Sequence, residues 1–133
     1  MPLPGSVARQ VWANRMAGGD SRIHALAALH GRFAIGFLRL DLAPDRSAEL
    51  TLIVDPRHRR RGVGRLLVER ALDEARRRGL RRLVALVRPD NEAALRLFAD
   101  CGFEPSGSHV VGFEHLARVV HNADRERPIE IVP

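Results

Sequence analysis

The chain has 133 residues, enough for one hydrophobic core and too few for two ordinary domains, and its 45% hydrophobic content fits a folded protein. No segment approaches the ~18 uninterrupted apolar residues of a membrane span. Met1 to Ser6 lacks the basic region and apolar stretch of a signal peptide, and the single Cys101 excludes an intrachain disulfide. One cysteine suits a reducing compartment, so a cytoplasmic protein with no membrane partner is expected. All 22 basic residues are arginine, tyrosine is absent, and the formal net charge is +6. That charge is uneven: from Arg57 to Arg82 there are 11 arginines against Glu69, Asp73 and Glu74, while elsewhere 11 arginines are outnumbered by 13 acids. A small polyanion or nucleic acid would respond to such a field.

In chain order, Ser6 is placed to cap a first helix from Val7 to Met16, with Val7, Val11 and Trp12 on its apolar side and Gly18-Gly19 as the stop. Ile23 to Leu29 and Phe33 to Asp41 read as strands joined through His30-Gly31-Arg32 in a hairpin. A polar loop from Ala43 to Ser47 leads into a third strand, Glu49 to Val54. A long amphipathic helix follows Gly62-Val63-Gly64 and runs to about Arg78. Val63, Leu67, Ala71 and Ala75 line one side, and Gly79 ends it. Leu83 to Val87 is a short apolar run of the kind buried on both faces. Pro89-Asp90-Asn91 opens a second helix to Asp100, closed by Gly102, and strands are expected within His109 to His121 and Pro128 to Val132. The order predicts an α/β (α+β) fold: a mixed, mostly antiparallel sheet with a central β-α-β crossover and helices on both faces.

The stretch from Leu52 to Gly64 carries most of the functional signal. An apolar strand ends at Asp55-Pro56, passes through a basic turn and feeds glycines into a helix start. Several backbone N–H groups there have no intrahelical acceptor, and the helix dipole adds positive charge, which suits a phosphate or pyrophosphate. Glycine at 62 and 64 removes Cβ atoms that would hold an anion off the backbone. The spacing Arg59-x-x-Gly62-x-Gly64 is neither the dinucleotide-binding fingerprint nor the P-loop. It resembles the acyl-CoA pyrophosphate turn of the GNAT superfamily of acetyltransferases. Leu83 to Val87, Asn91-Glu92-Ala93-Ala94 and Phe98-x-x-Cys101-Gly102-Phe103 complete a resemblance over roughly Glu49 to Glu104, and Gly31 and Gly36 sit where similar proteins have glycine.

The resemblance implies a single acetyltransferase domain over residues 1–133, with acetyl-CoA as co-substrate and no metal. It implies a groove where the strand ending at Val54 splays from its parallel neighbour. Backbone groups of Leu52, Ile53 and Val54 would meet the pantetheine arm. Arg59, Arg60, Arg61, Gly62, Val63, Gly64 and Arg65 would cradle the pyrophosphate, and Asn91 and Phe98 would border the thioester end. A small-molecule or peptide amine would attack the thioester directly, assisted by a base and an acid. The sequence departs from the family pattern in three ways. Phe98 stands where many relatives have a tyrosine that protonates the thiolate. Leu86 stands where ribosomal-protein-type enzymes have a glutamate. The shortened N-terminal part lacks the usual first strand and part of a helical pair, which a homodimer would supply.

Each assignment has a plainer counterpart. Arg59 to Arg61 also read as a solvated basic turn, Asn91 as an N-cap, Phe98 as core, and Cys101 as a small packed residue. Glu49, which begins the third strand, is the candidate catalytic base, subject to the strand register that decides which face it occupies. Ser106, Ser108 and His109 are candidate proton donors by position. His109, His115 and His121, six residues apart, form no metal signature. The alternatives to an acetyltransferase are an acyl-CoA-binding domain without turnover and an Arg-rich nucleic-acid module. Against the latter, aromatics are only 5% and do not interleave with the arginines.

Overall fold

The computed structural model describes residues 11–13, 22–58 and 62–120. Seven strands form one sheet: β1 (Val11–Ala13), β2 (Ile23–His30), β3 (Phe33–Leu42), β4 (Ser47–Val54), β5 (Arg82–Val87), β6 (Glu104–Pro105) and β7 (Glu114–Val119). Their spatial order is β1-β2-β3-β4-β5-β7-β6, and β4–β5 is the parallel pair among antiparallel ones. The crossover between β4 and β5 carries helix α1 (Val63–Arg77), and α2 (Glu92–Asp100) follows β5.

Residues of one parity along the strands form the main core. Leu38, Leu40, Ala48 and Leu83 are fully buried there, with Leu50 and Ala85 nearly so, beneath Val63, Leu67, Val68, Ala71, Leu72 and Ala75 of α1. That stripe is the apolar side expected from the 3.6-residue period, and its opposite side carries the surface pairs Arg65–Glu69 and Asp73–Arg76. Gly36 marks where α1 crosses β3: a Cβ there would lie 2.8 Å from Val63 Cγ1 and 2.9 Å from Leu67 Cδ1. α2 lies against the N-terminal turn of α1, with Phe98 and Phe103 in the same core. Ala25 and Ala27 of β2 are buried although they face away from that core, so β2 is covered on both sides.

The hairpin, the third strand, α1, β5 and α2 fall where the sequence places them, and Gly79 ends α1 in a left-handed conformation at φ 68. The first helix is corrected. Val11–Ala13 is a strand paired antiparallel to Leu26–Ala28, so a short first strand, expected to be missing, is present. An unpaired β2 edge offers a full row of backbone partners, which outweighs a weak helical pattern in a segment holding β-prone Val11 and Trp12. The flanks of that predicted helix, the Gly18-Gly19 stop and the Pro128 to Val132 strand lie outside the described residues. Both described helices sit on one face of the sheet. β6, two residues long, has too little pattern to be read in advance.

Candidate functional site

Pairing between β4 and β5 ends at Leu50↔Ala85, although β4 continues to Val54 along β3 and β5 to Val87 along β7. Each strand keeps its outer neighbour and loses the inner one, so a wedge opens at their carboxyl ends. Backbone alternation fixes what faces it. The Asp55 N–H donates to the Ile35 carbonyl at 2.8 Å, so with a two-residue period Ile53 and Thr51 also turn their backbone groups to β3. Leu52 and Val54 therefore direct theirs into the wedge. The expectation that all three residues offer backbone groups is corrected for Ile53. Its main chain belongs to the β3 ladder, while its side chain stands 62% exposed on the face away from the helices.

The N-terminus of α1 sits at the mouth of this wedge. Gly62 is its N-cap at φ 79, ψ 6, and the first helical bond runs from the Leu66 N–H to the Gly62 carbonyl at 2.9 Å. The N–H groups of Val63, Gly64 and Arg65 precede that bond, no side chain caps them, and no acidic residue occupies the first turn. The two glycines have different causes. A Cβ at Gly62 would meet nothing within 4 Å, so glycine is there for its left-handed backbone. A Cβ at Gly64 would lie 2.8 Å from Leu97 Cδ2 and 3.6 Å from Leu52 and Val54, so the room expected for an anion is occupied by α2. The Val63 side chain is buried against β3, and the Arg65 guanidinium bonds Glu69 at 3.1 Å, which leaves both residues a backbone N–H to offer. Arg57 pairs with Asp55 at 3.2 Å, and Arg59, Arg60 and Arg61 lie outside the described residues.

Asn91 caps α2: its Oδ1 accepts from the Ala94 N–H at 3.1 Å, with Glu92 in the first turn. Its amide N–H₂ remains a donor at the carboxyl end of β5. Phe98 is corrected. It is 4% exposed and meets the Phe103 ring edge-on, with centroids 5.0 Å apart, so its ring belongs to the core and not to the wedge. Cys101 is buried, and burial pushes its thiol up from the ordinary value, which disfavours a nucleophile.

The face away from the helices carries the remaining candidate residues. Glu49 stands exposed on it, paired with Asp41 of β3 and Val84 of β5 where β4 and β5 are still joined. The first β5 residue beyond the last paired row is Leu86, and His115 of β7 lies opposite Leu86. His115 Nδ1 and the Ser106 hydroxyl are hydrogen-bonded, and the Ser108 N–H donates to Ser106 Oγ at 3.1 Å. Sequence reasoning placed Ser106 and Ser108 near the acceptor but did not join them to His115. The legible signal was Gly107 and Gly112, at φ 81 and 82, which bracket the turn that brings the two segments together. Among the described residues no three His, Cys, Asp or Glu side chains converge on a metal position, and no helix is long and apolar enough to cross a membrane.

Among the described residues, the parallel pair β4–β5 splays beside an uncapped glycine-led helix, an arrangement suited to an extended ligand with a phosphate end. The sequence profile of the Acetyltransferase (GNAT) family matches residues 5–103, and the chain belongs to that family. It is 32% identical over 85 residues to the [ribosomal protein bS18]-alanine N-acetyltransferase of Escherichia coli K12, covering 64% of this chain and 57% of that protein. The chain thus spans little more than half the length of this relative. The crystal structure of the GNAT domain of S. lividans PAT superposes with a TM-score of 0.70 at 32% identity, covering 74% of this chain and 61% of that one. The PaiA N-acetyltransferase of Thermoplasma acidophilum, solved with coenzyme A, shares the fold with a TM-score of 0.71 at 19% identity, covering 77% and 64%.

Proposed function

We propose that residues 1–133 act as one acyl-CoA-dependent N-acetyltransferase domain that moves an acetyl group from acetyl-CoA to an amine by direct attack. The observation that carries this reading is the wedge beyond Leu50↔Ala85 with the uncapped start of α1 at its mouth. The residues present suit the ligand. Leu52 and Val54 offer main-chain donors and acceptors to an extended amide-bearing arm. The N–H groups of Val63, Gly64 and Arg65 and the helix dipole suit a pyrophosphate. Arg59 to Arg61, which precede Gly62 in the sequence, add positive charge, and the Asn91 amide would hold the arm near β5.

The Val54 N–H is the donor assigned to the thioester oxygen, where negative charge grows as the amine attacks. A preset donor at that point lowers the barrier because it needs no reorganisation. Closing both reactants into one wedge supplies the orientation. The acceptor is a primary amine reached from the face away from the helices. A small molecule or a peptide fits the same chemistry, as the ribosomal-protein acetyltransferase relative illustrates for its own substrate.

Calorimetric titration with CoA and an acetyl-CoA-dependent thiol-release assay over a panel of amines test the reading. Binding should add about 2.7 kcal/mol of stability at a hundredfold excess over the dissociation constant. No binding at millimolar CoA would overturn the site. Binding without turnover on any amine would leave a CoA-binding domain.

A further inference from the structure

We propose that His115, held by Ser106, is the group that takes the proton from the acceptor amine. The role rests on the acyl-transfer reading above and concerns the amine proton alone, since the thiolate is protonated by solvent. Three observations carry it. First, the contact is built into the backbone. The Ser106 N–H donates to the His115 carbonyl at 3.0 Å, continuing the β6–β7 ladder beyond Pro105↔Leu116, so the two side chains meet whenever the strands pair. Second, the contact selects a nitrogen. With Nδ1–H donating to Ser106 Oγ, which also accepts from the Ser108 N–H, Nε2 keeps its lone pair and is the nitrogen that can take a proton.

Third, the position matches the chemistry. His115 lies opposite Leu86, the first β5 residue past the last row that β4 and β5 share. Neighbouring strands are about 4.8 Å apart, so an amine over Leu86 at the wedge is within one strand spacing of the imidazole. Glu49, by contrast, stands opposite Val84, where the strands are still paired and no wedge exists. In the step itself, the amine lone pair forms the N–C bond to the thioester carbon. The C–S bond breaks with its electrons passing to sulfur, and the amine proton goes to His115 Nε2. The thiolate takes a proton from solvent, to which His115 later returns its own.

The other titratable groups near this ring are Glu104 on β6, which shares its face opposite Ala117, Glu49 on β4 and exposed His109 in the β6–β7 connection. Arg88, at the end of β5, is paired with Asp90 at 3.4 Å, and Glu114 of β7 points to the opposite face. The experiment compares wild type, His115→Gln, Ser106→Ala, Glu104→Gln and Glu49→Gln by thiol release as a function of pH, with acetyl-CoA affinity from calorimetry and thermal melting as controls. His115→Gln should lower kcat about 100-fold or more, keep acetyl-CoA affinity and lose the rising limb of the pH–rate profile. Ser106→Ala should lower kcat by about 10-fold and shift that limb, because the ring is no longer oriented. The Glu104→Gln and Glu49→Gln variants should retain the limb.

A wild-type rate and unshifted profile in His115→Gln overturn this role while leaving acyl transfer standing. Acetyl-CoA binding by wild type with no amine acetylated overturns the reading beneath it and the role with it. Should His115→Gln fail to fold, Ser106→Ala decides, since it removes a single hydroxyl: an unshifted profile there overturns the role.

Discussion

The two helices that follow the parallel strands begin in opposite ways. α2 is closed internally: the Asn91 side chain accepts a first-turn N–H and Glu92 complements the dipole. α1 begins on Gly62 with no side-chain cap and no acid in its first turn, although it is 15 residues long against 9 and starts beside the wedge. A capped N-terminus needs no ligand. An uncapped one leaves its first N–H groups available to an anion that comes and goes. The contrast is what the proposed site rests on when it puts the phosphate end of the substrate at α1 and not at α2.

The sharpest way to break the contrast is to give α1 the cap that α2 has. Gly62→Asp places a carboxylate on the open N–H groups and should weaken CoA binding by at least about 100-fold, or ~2.7 kcal/mol, in calorimetry. The variant should still fold, because a Cβ at that position meets nothing, although a left-handed non-glycine residue costs about 1–2 kcal/mol. Unchanged affinity would move the phosphate site elsewhere. Phe98→Tyr tests whether α2 is wall and not machinery. Its ring is in the core, so the added hydroxyl lacks a partner and denaturation should report a loss of roughly 1–3 kcal/mol. A faster enzyme with unchanged stability would instead place the ring at the thioester.

Asn91 separates capping from ligand contact. Asn91→Ala should cost about 1 kcal/mol of stability, whereas Asn91→Asp keeps the cap oxygen and removes the amide donor. Equal CoA affinity in Asn91→Asp confines Asn91 to capping, whereas a loss reflects the missing donor together with the added negative charge.

The smallest effect concerns the other end of α1, which is tied into the fold. His24 Nδ1 lies 3.1 Å from Arg78 Nη2, and Arg78 bonds Glu74 at 2.9 Å. Burial lowers the His24 pKa from its ordinary 6.5, with Arg78 and Arg77 acting the same way and Glu74 opposing. The unfolded chain therefore binds this proton more readily. Stability is full above about 6.5 and falls as pH drops from there through the lower folded value. Burial pushes Glu74 up, but its Arg78 hydrogen bond and the charges of His24, Arg77 and Arg78 lower it overall, so its contribution is lost at still lower pH. Urea midpoints followed against pH should show a gentler decline below 6.5 in His24→Gln; an identical slope would remove His24 from the account.

Features that depend on local periodicity and turn chemistry are legible along the chain. Val63, Leu67, Ala71 and Ala75 fixed the buried side of α1, Gly79 its end, Asn91 its cap role at α2, and Arg59-x-x-Gly62-x-Gly64 the family. Features that depend on neighbours far away in the chain came from the folded arrangement. It made Val11–Ala13 a strand, because β2 offered an edge. It set the Cβ side of Gly64 against Leu97, turned the Ile53 backbone to β3 and put Phe98 in the core. It also joined Ser106 to His115 across a hairpin. Spacing along a chain records the faces of a single element, whereas contacts between elements follow from sheet register and crossing, which no local pattern encodes.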